Sequence, residues 1–497
     1  MKKLKLNLIV MLPMLLVTNC LMSQNTNIPS AFKNYDEYVH ERMQEWNIPG
    51  MAIAVVKGDS VLFQNNYGYS DVEKKTKVTR HTLFAIGSCT KFFTTTALSI
   101  LADEKKVDFD APVIKYYPSL KLKDSVLQQQ IIVKDILSHR TGLERGDYIW
   151  YGANYSRKEI LDRLVYLNTV APVREAFIYN NMMYSLAGTI IEKQSGLSYE
   201  TFVTQRVLTP IKMNNTVFDL TAAKSTYALP YSYTNSNFRQ LPMPQTKGVE
   251  PAGGIWSDLE DMTKWLSFHL SKGKVDTTQI VSANGMNLLK TPVLFTGDRM
   301  RADESEYKSY GMGMGFSAYK GNRVMYHTGV AGGYTAHIAF LPEENIGIVI
   351  LTNTETYTAA MIDNVFDRVL GLEQTDWNTP VINAVKEQWK EDEKSTNEQL
   401  LKIKNAEEVK DYAKYMGVYN HAFCKPVAIT NKSHKVYLNY NNIEYALATV
   451  KENEFMAYDE NVFGDITATF SRDAKGNVTG LMLELMGEKL DYKKTEN

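Results

Sequence analysis

Cysteine is scarce in this sequence, and no charge of one sign predominates. The 497 residues include only three cysteines, Cys20, Cys89 and Cys424, which are too few and too scattered for a disulfide framework or a thiolate metal site. The 55 Lys and Arg residues balance 56 Asp and Glu residues, so composition does not favour a nucleic acid partner. His-Glu-x-x-His and Gly-rich phosphate-loop patterns are missing as well, so the sequence predicts neither a metal site nor a cofactor.

Long apolar runs are missing after the start of the chain. No later stretch approaches the roughly 20 apolar residues of a membrane-spanning helix, so we expect no integral membrane segment in the mature chain. Three lysines within the first five residues precede the apolar run 8–17, and small or polar residues follow. This order predicts a signal peptide at residues 1–23 and an exported protein, periplasmic or secreted. Lipid attachment through Cys20 is the minor alternative.

The length of the chain predicts more than one domain, because a single hydrophobic core seldom grows this large. A helical pattern comes first and is followed by β-rich runs, a long and mainly helical stretch, further β-rich runs and a last helix. In chain order these are helix 32–46, strands 51–57 and 61–67, helices over 88–286, strands 324–328, 334–341 and 346–352, and helix 359–370. This order predicts an α+β domain over residues 30–372, with an antiparallel sheet flanked by helices and a mainly helical subdomain.

The last part of the chain has a different pattern. Residues 386–410 are crowded with Lys and Glu, which predicts an exposed helix within a connector that spans residues 373–410. Short alternating runs then recur between turn-like residues, at 436–440, 443–450, 467–470 and 481–485. They predict a small β-barrel or β-sandwich domain over residues 411–497.

Ser88 and Lys91 form the strongest chemical signal. They lie three residues apart at the start of an apolar helical run, so both side chains share one face of the helix. A serine hydroxyl is a weak nucleophile until a neighbouring base takes its proton, and an amine enclosed by apolar residues has the lowered pKa that such a base needs. Because Ser-x-x-Lys also occurs by chance in many helices, this pair alone carries little weight.

Two further motifs strengthen that interpretation. Tyr179 and Asn181 form a Tyr-x-Asn element ahead of another helical run, and His327-Thr328-Gly329 ends a predicted strand. With Ser-x-x-Lys, these motifs resemble the serine β-lactamase and penicillin-binding-protein superfamily. The resemblance covers roughly residues 30–370 and extends to the surrounding segments 82–88, 136–143, 251–257 and 327–353.

The tyrosine of the second motif is similar to that of the class C β-lactamase and D-alanyl-D-alanine carboxypeptidase branch, which includes esterases and D-aminopeptidases. His327 stands where class C β-lactamases carry lysine, while peptidases and esterases of the branch often have histidine. The resemblance therefore implies acyl-enzyme hydrolysis of a peptide, amide or ester that contains a D-amino acid, with β-lactams as substrates or slow inhibitors. One alternative is a penicillin-binding or sensing protein that acylates with little turnover. A catalytically silent scaffold is the third hypothesis, which the intact motif set disfavours.

The resemblance also implies a role for each site residue. Ser88 is the implied nucleophile, and Lys91 and Tyr179 are the implied proton-transfer pair, although the sequence leaves open which of the two accepts the first proton. Among the implied substrate-binding residues, Asn181 donates to the substrate amide and holds Lys91. His327 and Thr328 bind a carboxylate or other polar end of the substrate. Gly329 precedes Val330, whose backbone amide forms an oxyanion hole with that of Ser88.

Three other features have structural interpretations. We expect His139 to be a loop or packing residue, and Cys89 to be buried and directed away from its neighbour Ser88. The C-terminal domain is similar to lipocalin-like appendages of some relatives, which implies either a homo-oligomer assembled through this domain or control of access to the cleft.

Overall fold

A computed structural model describes residues 28–234, 237–301, 304–404, 411–432, 435–459, 464–485 and 487–495, and the predicted signal peptide lies outside these ranges. The helices are α1 (Ile28–Ala31), α2 (Tyr35–Glu45), α3 (Thr90–Asp103), α4 (Ser125–Gln130), α5 (Val133–Leu137), α6 (Asp147–Trp150), α7 (Arg157–Asp162), α8 (Met182–Ser195), α9 (Tyr199–Val203), α10 (Glu250–Gly253), α11 (Leu259–Leu270), α12 (Ala283–Leu289), α13 (Ala359–Leu370) and α14 (Asn378–Lys404).

The strands of the first domain are β1 (Gly50–Lys57), β2 (Ser60–Asp71), β3 (Thr76–Lys77), β4 (Phe84–Ala85), β5 (Tyr231–Thr234), β6 (Asn237–Gln240), β7 (Trp256–Ser257), β8 (Lys274–Val275), β9 (Thr278–Gln279), β10 (Leu294–Arg301), β11 (Glu304–Tyr310), β12 (Gly315–Tyr319), β13 (Asn322–Val330), β14 (Thr335–Leu341) and β15 (Ile346–Thr352). Those of the second are β16 (Gly417–Asn420), β17 (Val427–Lys432), β18 (Lys435–Tyr440), β19 (Ile443–Lys451), β20 (Glu454–Asp459), β21 (Gly464–Arg472), β22 (Val478–Leu485) and β23 (Glu488–Lys494).

A nine-stranded antiparallel sheet organises the first domain, in the order β10-β11-β12-β13-β14-β15-β1-β2-β3. The α+β arrangement predicted from the sequence is confirmed, including β1 and β2 from one end of the domain beside β13 to β15 from the other. Sequence patterns do not predict β10 and β11, because charged and polar residues interrupt the apolar alternation of these strands.

Both faces of the central strands are buried, because successive side chains of a strand point to opposite sides. Met51, Ile53 and Val55 of β1 belong to a core that includes side chains of α2 and α13. Ala52 and Ala54 belong to the core on the other face, with side chains of α3 and α11. The apolar runs of these strands are therefore nearly continuous, as two-sided burial requires.

The mainly helical subdomain leaves and rejoins the sheet domain at one place, because β4 pairs with β7. The chain between them includes α3 to α10, and α8 packs against α3, α5, α7, α9 and α10. This packing brings the start of α3 close to α10.

The C-terminal strands form a closed eight-stranded barrel, in which β16 pairs with β23. A barrel rather than a sandwich is therefore the architecture of this domain. Helix α14 lies between the sheet domain and the barrel. In the part of the chain that the structure describes, no helix combines the length and apolar character needed to cross a bilayer.

Candidate active site

Three elements carry the predicted motifs and meet beside the sheet. Ser88 lies in a 3-10 turn, Gly87–Cys89, that leads directly into α3. Asn181 directly precedes α8, and His327 is part of β13, which ends at Val330. The turn around Ser88 packs against β13, β14 and α10, so long-range packing joins segments that are far apart in sequence.

Lys91 is fully buried in the first turn of α3. Its Nζ lies 3.0 Å from Ser88 Oγ and donates to Asn181 Oδ1 and to the carbonyl oxygen of Ala252, both at 2.8 Å. Burial lowers the pKa of Lys91 well below its usual range, because desolvation penalises the ammonium form. A neutral amine that donates to Asn181 and Ala252 directs its lone pair at the Ser88 hydroxyl. This is the geometry of a base that activates serine.

Tyr179 also contacts Ser88, through a side-chain hydrogen bond. Its ring centroid lies 4.7 Å from Lys91 Nζ. Burial raises the pKa of Tyr179 above its usual value, although the bond with Ser88 and the charge of Arg145 oppose the shift. Tyr179 therefore keeps its proton at neutral pH, which favours Lys91 as the first base and Tyr179 as a proton relay.

A buried carboxylate behind the site is missing from the sequence prediction. Asp147 Oδ1 accepts hydrogen bonds from Asn181 Nδ2 at 3.3 Å and from Trp150 Nε1 at 3.0 Å, and Asp147 also pairs with Arg145. Because the amide nitrogen of Asn181 is held by Asp147, its Oδ1 is directed at Lys91. The segment Arg145-Gly146-Asp147 matches no motif, so only the close pairing of opposite charges marks it in the sequence.

Two glycines allow the Ser88 turn to contact the end of β13. Gly87 has φ +46°, and a Cβ there would lie 2.9 Å from the Val330 nitrogen. A Cβ on Gly329 would lie 1.9 Å from Ile86 O and 2.9 Å from Ser88 N. Only glycine permits such an approach. It sets the backbones of Ser88 and Val330 side by side, as a two-amide oxyanion hole requires.

His327 is buried and forms two hydrogen bonds within the protein. Its Nδ1 lies 2.7 Å from the Thr328 carbonyl oxygen and its Nε2 lies 2.9 Å from the Tyr310 hydroxyl, so Nδ1 carries the proton and Nε2 accepts from Tyr310. Burial lowers the pKa of His327 to about 3. A neutral ring offers no positive charge to a substrate carboxylate near neutral pH, whereas the other implied role, binding a polar end of the substrate, requires no charge. Thr328, next in the strand, is exposed.

His139 and Cys89 are packing residues, as the sequence analysis expects. His139 is buried, accepts a hydrogen bond on Nδ1 from the Asn180 nitrogen at 3.1 Å, and places its ring centroid 4.2 Å from that of Tyr179. Cys89 is buried with Sγ 3.4 Å from the carbonyl oxygen of His327. Burial raises the pKa of the Cys89 thiol to about 12, so it is not a nucleophile at neutral pH.

A cleft of about 260 Å³ opens in front of Ser88. Its lining consists of Gly87, Ser88, Trp150, Tyr151, Asn181, Pro244, Gln245, Thr246, Val249, Ala252, Gly253, Val330, Ala331, Gly332 and Glu355. Of the predicted site residues, Ser88, Asn181 and Val330 belong to this lining, and the others lie behind it or beside it. Among the residues that the structure describes, no three His, Cys, Asp or Glu side chains are grouped to hold a metal ion.

One wall of the cleft rests on the barrel. Trp150 and Tyr151 belong to this wall, at the end of α6. In the barrel, Asn441 Nδ2 donates to the Tyr151 carbonyl oxygen at 2.7 Å, and the Tyr440 hydroxyl donates to the Tyr148 carbonyl oxygen at 3.0 Å. The hairpin between β18 and β19 therefore supports the cleft wall within the same chain.

Comparisons with known proteins agree with this site and fold. The profile of the family described as Beta-lactamase matches residues 35–372. The unguisins hydrolase ungD' of Aspergillus campestris is 28% identical over 375 residues, which cover 70% of this chain and 67% of that protein. Protein flp of Staphylococcus aureus is 24% identical over 359 residues, which cover 71% of this chain and 70% of that protein.

A solved structure shares the fold over nearly the whole chain. The octameric penicillin-binding protein homologue from Pyrococcus abyssi superposes with a TM-score of 0.62 at 22% identity, covering 94% of this chain and all of that chain. The family match spans the sheet and the helical subdomain, which together contain Ser88, Lys91, Tyr179 and His327. The chain belongs to the beta-lactamase family of serine hydrolases.

Proposed function

We propose that this protein hydrolyses peptides, amides or esters that contain a D-amino acid, through an acyl-enzyme on Ser88. The observation that carries the proposal is the buried amine of Lys91, 3.0 Å from Ser88 Oγ and held by two further acceptors. The preference for D-amino acids rests on the Tyr-x-Asn form of the second motif. D-alanyl-D-alanine carboxypeptidase, D-aminopeptidase and esterase activities are all compatible with it, and β-lactam hydrolysis is a further activity to test.

The reaction follows from the contacts of the site. Ser88 Oγ attacks the substrate carbonyl carbon while Lys91 Nζ takes the hydroxyl proton. The amides of Ser88 and Val330 stabilise the oxyanion. The proton passes through Tyr179 to the leaving amine or alcohol, and the bond to the leaving group breaks. Water then attacks the acyl carbon and gives a proton to the same base, which passes it to Ser88 Oγ as the bond between Oγ and the acyl carbon breaks. The acid leaves and Ser88 is restored.

A covalent probe tests the nucleophile. A fluorophosphonate should label the wild-type protein at Ser88, located by peptide mass, and labelling and turnover should disappear in Ser88→Ala. Ser99→Ala is the matched control, because it removes a hydroxyl from the same helix, where Ser99 Oγ donates to the carbonyl oxygen of Thr95 at 3.0 Å. Substrate class is then assigned with a panel of paired D- and L-amino-acid peptides, esters and β-lactams. Turnover that survives in Ser88→Ala would contradict the proposal.

A penicillin-binding or sensing protein that acylates with little turnover is the second candidate, because it would use the same residues. The two functions differ only in the rate of deacylation. Intact mass measured over time after mixing with penicillin separates them: a transient adduct with released product indicates a hydrolase, and a stable stoichiometric adduct indicates a sensor.

We also propose that the protein is exported and that the barrel mediates assembly. Residues 1–23 have the pattern of a signal peptide, and cell fractionation with N-terminal sequencing of the mature protein tests their removal and the lipid-anchored alternative at Cys20. The octameric state belongs to the Pyrococcus abyssi homologue. Light scattering on the whole mature chain tests whether this protein also forms an oligomer.

A further inference from the structure

The charges around the cleft are distributed unequally. Among the described residues that line the cleft, Glu355 alone has a carboxylate or a cationic side chain. Two basic side chains of the site are already engaged: the neutral amine of Lys91 by Ser88, Asn181 and Ala252, and the guanidinium of Arg145 by the carboxylate of Asp147. His327 is neutral. A substrate carboxylate would therefore meet no free positive side chain in this lining, whereas a substrate cation would meet one carboxylate.

Glu355 is held in place but is not neutralised. It lies three residues beyond the end of β15, and its Oε1 accepts a hydrogen bond from the Gly333 nitrogen at 3.2 Å. Within the described part of the chain, no ion pair and no nearby cation acts on it. The side chain is accessible to solvent, yet the surrounding protein raises the pKa of Glu355 through desolvation. An ammonium group of a ligand would supply the missing counter-charge.

We propose that Glu355 is a specificity-determining residue that selects substrates with a positively charged amine near the scissile bond. This inference rests on the proposed function and narrows it, because it favours an aminopeptidase-like or amino-ester substrate over one that ends in a carboxylate. It also agrees with the neutral state of His327. In this proposal Glu355 binds the charge of the substrate and takes no part in the bond-breaking steps.

Matched substrate pairs test the proposal. On the acyl side, D-alanine p-nitroanilide is compared with its N-acetyl derivative, and on the leaving-group side, acetylthiocholine is compared with its neutral tert-butyl isostere. In wild type, kcat/KM should favour the cationic member of at least one pair by about two- to fivefold, the size of one exposed charge contact. Glu355→Gln should bring that ratio close to one, because kcat/KM should fall more for the cationic member of the pair than for the neutral one. Glu343→Gln, which removes an exposed carboxylate from the turn between β14 and β15, should keep the wild-type ratio.

A second measurement needs no variant: raising the salt concentration should reduce the wild-type preference, because ions screen an exposed charge pair. Equal rates for both members of both pairs in wild type would overturn the proposal, and so would a preference that persists in Glu355→Gln or an equal loss for all substrates in that variant. The ratios are measured on turnover that Ser88→Ala abolishes, or on acylation rates if turnover is slow. Activity that depends on Ser88 but shows no charge preference would refute the Glu355 inference alone, whereas activity that survives in Ser88→Ala would refute the Ser88 mechanism.

Discussion

Asp147→Asn and Arg145→Gln should shift the acid limb of the pH–rate profile in opposite directions. Burial lowers the pKa of Lys91, the negative charge of Asp147 partly opposes that shift, and the positive charge of Arg145 adds to it. If neutral Lys91 is the base, kcat/KM rises with pH as Lys91 loses its proton. Removing the charge of Asp147 lowers the pKa of Lys91 further and moves the limb to lower pH. Removing the charge of Arg145 moves it to higher pH.

The contacts set the size of the shift. Asp147 reaches Lys91 through the Asn181 amide, by hydrogen bonds of 2.8 and 3.3 Å. A separation of about 8 Å gives about 2 kcal/mol between unit charges at an effective dielectric constant of about 20, and about 0.5 kcal/mol in water. The midpoint should therefore move by about 0.4 to 1.5 pH units. Asp147→Asn should lie near the upper limit because the Asp147 side chain is 7% exposed, and Arg145→Gln near the lower limit because Arg145 is 57% exposed and screened by solvent.

The assay is kcat/KM for a neutral ester across pH, so that the substrate does not titrate. Asp162→Asn is the matched control, because it removes a carboxylate from an exposed ion pair with Lys158. The double variant of Arg145 and Asp147 should have a profile close to that of wild type, since the two charges act in opposite directions. Shifts of the same sign in both single variants, or none in either, would refute Lys91 as the base.

Tyr179→Phe should lower kcat by about 10² to 10⁴ with little change in melting temperature; a fall in melting temperature with unchanged kcat would instead make the hydroxyl structural. Burial lowers the pKa of His327 from 6.5 to about 3, so as pH falls the His327 ring takes up its proton in the unfolded chain before it does so in the folded chain. The free energy of unfolding should therefore be greatest above pH 6.5 and fall towards pH 3. His327→Gln should reduce that pH dependence in urea titrations at neutral and acidic pH, and wild-type KM for a carboxylate-bearing substrate should show no His327 titration between about pH 6 and 8. Gly329→Ala should abolish fluorophosphonate labelling, since its Cβ would lie 1.9 Å from a backbone oxygen; normal labelling would disprove the close approach. Asn441→Ala removes the barrel's bond to Tyr151, worth about 1 kcal/mol, and should raise KM several-fold more than it changes kcat, whereas an unchanged KM would separate the barrel from the cleft.

Short-range patterns were sufficient for much of the fold. The strands near 51–57 and 346–352 are continuous apolar runs, because two-sided burial requires it. The three-residue spacing of Ser88 and Lys91 places both side chains on one face of a helix, and the Tyr179 and His327 motifs then assigned the pair to a site through the family resemblance. The polar strands β10 and β11 escaped prediction, since neighbouring strands rather than their own apolar pattern hold them in the sheet.

Charge states and partners in the site depended on tertiary structure. The resemblance implies that His327 binds a carboxylate or another polar end, but desolvation lowers the pKa of the ring to about 3, so the ring is uncharged near neutral pH. Asp147, Glu355 and Asn441 belong to no motif and acquire their roles from segments far away in the chain. Motif spacing reports which side chains share one element, whereas a pKa, a counter-charge or a cleft wall depends on burial and on long-range contacts, which only the folded chain brings together.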